Sequence, residues 1–509
     1  MVSIDGHHLT VDEVVNVSRF NEKVKISEQG IHNIQRSYEN KMKIVNSGLP
    51  VYGINTGFGI FADKRIADQD SAKLSRNLII SHAVGTGAPL STEIVRAAML
   101  VRANTLAKGF SGVRLQVVET LVEMLNKNLT PVVPSQGSLG SSGDLGPLSH
   151  MALVFTKDEA DEEAESGFAW FNGKIHSGKK AMQLAGIDRL ILGPKEGLAI
   201  NNGATFSAGI AALCIYDTNY LLKAAELSLA LSLEAMLGCE DAFDHRIHAA
   251  RGQLGQLDVA NHIRQLINNS TLINSTGRVQ DAYSLRCAPQ VQGVARDTLA
   301  FVGQIVQREI NAATDNPLIF DPGVALSGGN FHGEPVGVAM DFLGIVLSEI
   351  GSISERRVNR MTDANLNAGL PPMLVDSPEA AGLNSGLMMP QYTAASLVLE
   401  NTSLAHPDSV HSLPTSAEQE DHNANAMTAA RHTLQILLNT THVLAIEFYT
   451  AARAIDLRFK IQPNAKLGDG TQIAYDLIRS EIPYQAGDAL WGPEIEKVKT
   501  LILNKKFNL

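Results

Sequence analysis

The sequence predicts a mainly α-helical fold, with an N-terminal helical domain over residues 1–200 and a long helical bundle over residues 201–509. Three observations carry that expectation. Apolar residues recur at helical spacing through most of the chain, strand signals are few and short, and the helical segments lengthen sharply after residue 200. A chain of 509 residues has room for such an assembly, and a hydrophobic content of 44% separates it from disordered sequences.

The elements follow in chain order. The opening "MVSIDGHHLTVDEVV" carries acids and histidines where an export signal has a basic start and an apolar core. From Ser91, "STEIVRAAMLVRANTLAKG" sets Ile94, Ala98, Val101 and Leu106 on one helical face, begins on a capping residue and stops at Gly109. "VRLQVVETLVEML" repeats the pattern through Leu115, Val118, Leu121, Val122 and Leu125. Leu145, Leu148, Met151, Ala152 and Phe155 mark another helix. "FAWFNGKIH" predicts a hairpin turning at Asn172-Gly173, and the acidic tract "KDEADEEAES" before it predicts a solvated loop. Beyond residue 200, Ala204 to Leu237, Glu334 to Met361 and Ala426 to Phe459 run for many turns with hardly a breaker. Helices of that length, apolar on more than one face, must cover one another in a bundle.

Composition narrows the function. With 42 basic against 53 acidic residues and a net charge of −11, the chain lacks the electrostatic footprint of a nucleic-acid binder. Cys214, Cys239 and Cys287 form neither a disulfide framework nor a metal-type spacing, so no metal is expected and a reducing cytoplasm fits best. No apolar run is read as long enough to span a membrane.

Chemistry concentrates in "VPSQGSLGSSGDLGPLSHM", Val133 to Met151. A nucleophile elbow needs glycine two residues before and two after its serine, which Ser138, Ser141 and Ser142 all fail. A phosphate loop would end in Gly-Lys-Ser/Thr, and no lysine lies near. A third chemistry suits the order of residues. If the backbone nitrogen of Gly143 attacks the carbonyl carbon of Ser141, a five-membered ring closes. Loss of two waters, one carrying the Ser142 hydroxyl, then leaves an exocyclic methylidene. Glycine at 143 permits the tight bend, and serine at 142 supplies the leaving group. The product is a strong electrophile made without an external cofactor, set at a helix N-terminus that favours negative charge.

The chain resembles the aromatic amino acid ammonia-lyase and aminomutase family, whose members form this 4-methylidene-imidazol-5-one. The resemblance extends collinearly over most of the chain: "YGINTGFG" from Tyr52, "SHAVGTGAPL" from Ser81, the loop itself, "KEGLAINNG" from Lys195, "VQDAYSLRCAPQ" from Val279, "SGGNFHGEP" from Ser327, "SERRVNRM" from Ser354 and "LPTSAEQEDH" from Leu413. It implies the helical architecture shared by ammonia-lyases and fumarases, and a homotetramer whose sites combine several chains.

It also implies roles. Ser141, Ser142 and Gly143 would form the electrophile. Tyr283 matches the family's catalytic tyrosine, proposed as the base for the β-proton, and Tyr52 a second active-site tyrosine. Arg286 suits a bidentate clamp on the substrate carboxylate. Asn202 and Gln280 match polar residues that hold the substrate or the ring, and Phe331 a pocket aromatic. His82 stands where family members read the substrate ring, and histidine there suits imidazole or phenol better than an unsubstituted phenyl. Glu420, in "QEDH", matches members acting on histidine, whereas phenylalanine and tyrosine lyases and the mutases tend toward "NQD". The resulting expectation is non-oxidative deamination of L-histidine to trans-urocanate and ammonia. Tyrosine or phenylalanine ammonia-lyase and 2,3-aminomutase are the alternatives within the family, and a non-catalytic helical scaffold the alternative outside it. The chain departs from the family pattern at Ser141, usually alanine, at Ala204, usually threonine, at Ala282, usually proline, and in "HNANAM" from His422.

Overall fold

The structure is a computed structural model that describes residues 1–48, 50–57, 59–61 and 63–508, so Phe58 of the first motif lies outside the described residues. It is mainly helical, with short two- and three-stranded sheets. The chain forms two compact units. One comprises Met1–Tyr216, Val302–Asp341 and Pro407–Arg431, the other Asp217–Phe301, Phe342–His406 and His432–Leu509.

In the first unit, the helix Thr92–Ala107 packs against Val11–Phe20 and Leu115–Asn126 and is buried on nearly every side. It buries charge as well as hydrocarbon. Arg96 donates to the carbonyls of Val17, Ser18 and Leu125 at 2.7, 3.3 and 3.2 Å, satisfying the last turns of both neighbouring helices. Ser91 stands at the N-cap, as its sequence position suggests, though its side chain makes no capping bond. Asn172-Gly173 turns the expected hairpin between Phe168–Phe171 and Lys174–Ser177, both residues at positive φ. The acidic tract is mostly solvated, but Asp161 within it pairs with Arg189.

A second helical group positions the site. Ser71–His82 packs on both Leu145–Phe155 and Glu196–Asn201. His82 therefore ends one helix, the serine-glycine loop opens the next, and Asn202 caps the C-terminus of the third.

The second unit contains the larger part of the long helices Thr205–Ala235, Ala288–Glu309, Glu334–Thr362 and Ala426–Ile461. Its buried Glu447 accepts hydrogen bonds from Ser228, Ser232 and Ser354 at 3.0, 2.7 and 2.6 Å and pairs with Arg357, tying three of these helices together. By length and composition Glu334–Thr362 is apolar enough to cross a membrane, with a mean hydropathy of 1.7 over 18 residues, contrary to the sequence reading. However, 72% of that stretch is buried within the protein.

Candidate active site

The loop before Leu145 adopts a conformation that few sequences tolerate. Ser142 and Gly143 both lie in the left-handed region, at φ +73° and +82°. A Cβ at position 143 would stand 2.1 Å from the carbonyl carbon of Gly203, so glycine is obligatory there. The close approach is used. Asp144 N–H donates to Gly203 O at 2.9 Å, and Gly203 N–H donates to Ser142 O at 3.0 Å. Asn202 Nδ2 also donates to Ser142 O, at 3.0 Å, so two donors converge on one carbonyl oxygen. Asn202 Oδ1 is buried without a partner among the described residues.

Buried charge underlies the loop. Asp144 accepts from Ser138 Oγ at 2.9 Å and from Ser207 N and Oγ at 2.9 and 3.0 Å, yet burial still pushes its carboxyl above the usual range. Arg102, fully buried, donates to Ala199 O at 3.3 Å and to Thr205 Oγ1, and burial lowers its pKa to about 10. Lys195 pairs with Asp315, both side chains wholly inaccessible. Removing one member of such a pair would leave a buried charge uncompensated.

Above the loop is a cavity of about 1000 Å³, lined by Tyr52, His82, Ser142, Asn202, Phe331 and Glu420 among others. Ser142 Oγ lies 3.4 Å from Glu420 Oε1. Burial raises the Glu420 carboxyl, and hydrogen bonds from Ser142, Thr415 and Ser141 pull it back in part. Burial likewise raises the Tyr52 phenol, against a hydrogen bond from the Gly59 backbone. It lowers His82, whose Nδ1 lies 3.0 Å from Ser81 Oγ. These directions favour a neutral phenol and a neutral imidazole at neutral pH. A smaller cavity of about 280 Å³ flanks the loop and is lined by Ser141, Gly143, Thr415 and Glu420 with their neighbours.

Gln280, Tyr283 and Arg286 belong to the second unit, and none lines either cavity. Tyr283 is 70% exposed and Gln280 is also exposed. Arg286 lies over the Tyr283 ring, 4.5 Å from its centroid, and donates through Nε to Asp281 O at 2.8 Å. The sequence reading did not single out Asp144, Thr415 or Asn423. Asp144 directly follows the ring-forming triplet, which was its only local signal.

Helices whose ends converge on a Ser-Ser-Gly turn over buried charge form an architecture shared with solved lyases and aminomutases. Solved structures agree. A tyrosine aminomutase from Streptomyces globisporus superposes with a TM-score of 0.92 at 33% identity, covering 99% of this chain and 97% of that one. Histidine ammonia-lyase from Trypanosoma cruzi gives 0.90 at 35% identity, covering 99% and 94%. The chain belongs to the aromatic amino acid lyase family, whose sequence profile matches residues 9–480. It is 49% identical over 484 residues to histidine ammonia-lyase of Caldanaerobacter subterraneus subsp. tengcongensis, covering 94% of this chain and 92% of that protein. Against histidine ammonia-lyase of Treponema denticola it is 46% identical over 505 residues, covering 99% and 97%.

Proposed function

We propose that this chain deaminates L-histidine non-oxidatively to trans-urocanate and ammonia, using a 4-methylidene-imidazol-5-one formed from Ser141, Ser142 and Gly143. One observation carries the reading: in a single cavity Glu420 faces Ser142 at 3.4 Å beside a neutral-leaning His82. The names and similarity of the relatives support histidine as the substrate.

The loop fits the ring. Left-handed backbone at residues 142 and 143 brings the chain back on itself, the absence of a Cβ at 143 leaves room, and the two donors on Ser142 O suit an oxygen that takes on negative charge. Closure joins Gly143 N to the Ser141 carbonyl carbon with loss of that oxygen as water, and Ser142 gives up its hydroxyl and α-hydrogen as a second. The ring supplies an electrophilic methylidene carbon that accepts electron density from the substrate.

The chain's own residues do the rest. Asn202 and Gly203 hold the Ser142 oxygen. His82, neutral, offers one donor or acceptor nitrogen to the substrate imidazole. Tyr52, neutral, donates a hydrogen bond at the reacting end, and Glu420 balances the substrate ammonium and takes a proton at Oε1. Tyr283 removes the β-proton and Arg286 clamps the carboxylate. Since Tyr283 and Gln280 are exposed and none of Gln280, Tyr283 and Arg286 lines the cavity, we assign the three to the site of another copy, in a homotetramer. No nucleic acid or membrane takes part in this reading. No disulfide joins Cys214, Cys239 and Cys287, which suits a cytoplasmic setting.

Separate incubation with L-histidine, L-tyrosine and L-phenylalanine, with products identified by NMR, tests the assignment. Urocanate from histidine alone is expected. A β-amino acid from any of the three would reassign the chain as an aminomutase, and no product together with an undehydrated mass would leave a helical scaffold.

A further inference from the structure

Ser141 contributes more than a carbonyl carbon. Its hydroxyl accepts from Asn423 Nδ2 at 2.5 Å and lies 3.0 Å from Thr415 Oγ1. Asn423 Oδ1 accepts from Leu413 N–H at 3.1 Å, which orients the amide so that its nitrogen faces Ser141. The Ser141 and Thr415 hydroxyls share one hydrogen bond, and Thr415 Oγ1 lies 3.2 Å from the Glu420 carbonyl oxygen.

The segment it holds has further ties at its ends, where the His332 ring stacks on His422 and Asn423 N–H donates to Ser412 Oγ at 2.9 Å. Residues 411–422 are mostly exposed, and the loop closes on itself through Thr415 N–H to Glu420 O at 2.8 Å and Glu420 N–H to Thr415 O at 3.2 Å. Asn425 N–H bonds Leu139 O at 3.2 Å, at the far end. Asn423 is fully buried, so a lost partner there cannot be replaced freely by solvent.

We propose that Ser141 is a positioning residue: through Asn423 and Thr415 its hydroxyl fastens the 412–423 loop to the ring-forming turn and so sets Glu420 against residue 142. Position 141 thus couples two parts of the site that are more than 270 residues apart in sequence. The proposal rests on the ring chemistry and the role of Glu420 given above.

Its test is hydrogen–deuterium exchange over residues 412–424 in the full-length protein, with intact mass and histidine kinetics on the same samples. Ser141→Ala should keep the two-water mass deficit while the loop amides exchange about tenfold faster, the effect of one lost hydrogen bond on local opening. Its kcat should fall about tenfold with KM changed less, because Glu420 is displaced at the reacting end. Ser141→Thr, which retains a hydroxyl, should restore both. Thr415→Val should reproduce the exchange effect from the other end, and the double variant Ser141→Ala/Thr415→Val should exchange no faster than either single variant. Unchanged loop exchange in Ser141→Ala would overturn the proposal. A full, undehydrated mass in that variant would do so too, since ring closure would then depend on the hydroxyl. Exchange reads the loop whether or not histidine is turned over, so failure of the substrate assignment is distinguishable.

Discussion

The turn at Ser141–Gly143 and the segment Gln280–Arg286 make opposite use of the same chain. The turn is sunk among buried charges, closed by backbone bonds to Gly203 and faced by residues from five separate stretches of sequence. The segment is a single helical turn with its tyrosine 70% exposed and its arginine stacked on that ring. A group that must hold strained backbone and developing charge needs a rigid, satisfied surrounding. A group that serves another copy must instead be presented outward. On the proposed function, the difference teaches that the exposure of Tyr283 is what a residue serving another copy's site requires.

Substitutions at four positions break or sharpen this contrast. The largest effect belongs to the turn: Ser142→Ala should reduce kcat by about 10³-fold or more, because the group that supplies the methylidene carbon is gone. Tyr283→Phe should lower kcat by about 10²–10⁴-fold, the usual contribution of a general base. Mixing the two inactive variants by co-expression should restore about a quarter of the wild-type sites if each site takes its turn from one copy and its tyrosine from another. No restoration would confine both residues to one chain's site.

The third substitution, His82→Leu, removes a polar partner of the substrate ring and should cost about 1–3 kcal/mol in kcat/KM for histidine, with a smaller loss for any phenylalanine turnover. An unchanged ratio between the two substrates would remove position 82 from substrate choice. The smallest effect concerns pH. Burial raises Glu420 above its ordinary 4.5 and lowers His82 below its ordinary 6.5. As pH falls, Glu420 gains a proton and no longer balances the substrate ammonium, and His82 becomes cationic beside the substrate imidazole. Activity should therefore fall on an acid limb centred above 4.5. Glu420→Gln should flatten that limb and Glu420→Asp should keep it, as read from kcat against pH.

Much of the fold was legible because it is local. Helical spacing marks Thr92–Ala107 and Leu115–Asn126, lack of breakers marks the long helices, and Asn172-Gly173 marks its hairpin. The path of the chain was not. Residues 302–341 and 407–431 return to the first unit, and that return brings Phe331 and Glu420 to the cavity of Ser142. No periodicity encodes a contact across some 280 residues, so only family resemblance named those two beforehand. Thr415 lies within "LPTSAEQEDH" and Asn423 within "HNANAM", but neither was given a role, since amides and hydroxyls in a polar stretch look like ordinary loop chemistry until a partner is seen. The converging donors on Ser142 O were hidden for a related reason: one is a backbone N–H of Gly203, which no side-chain pattern announces.

The claim at the centre of all this is that the Ser141–Ser142–Gly143 turn closes into a ring without help. Intact mass spectrometry of the purified, untreated protein reads it directly. The account predicts a mass two waters below that of the translated 509-residue chain, and at most one water below it in Ser142→Ala. A wild-type mass equal to the plain sequence would contradict the account.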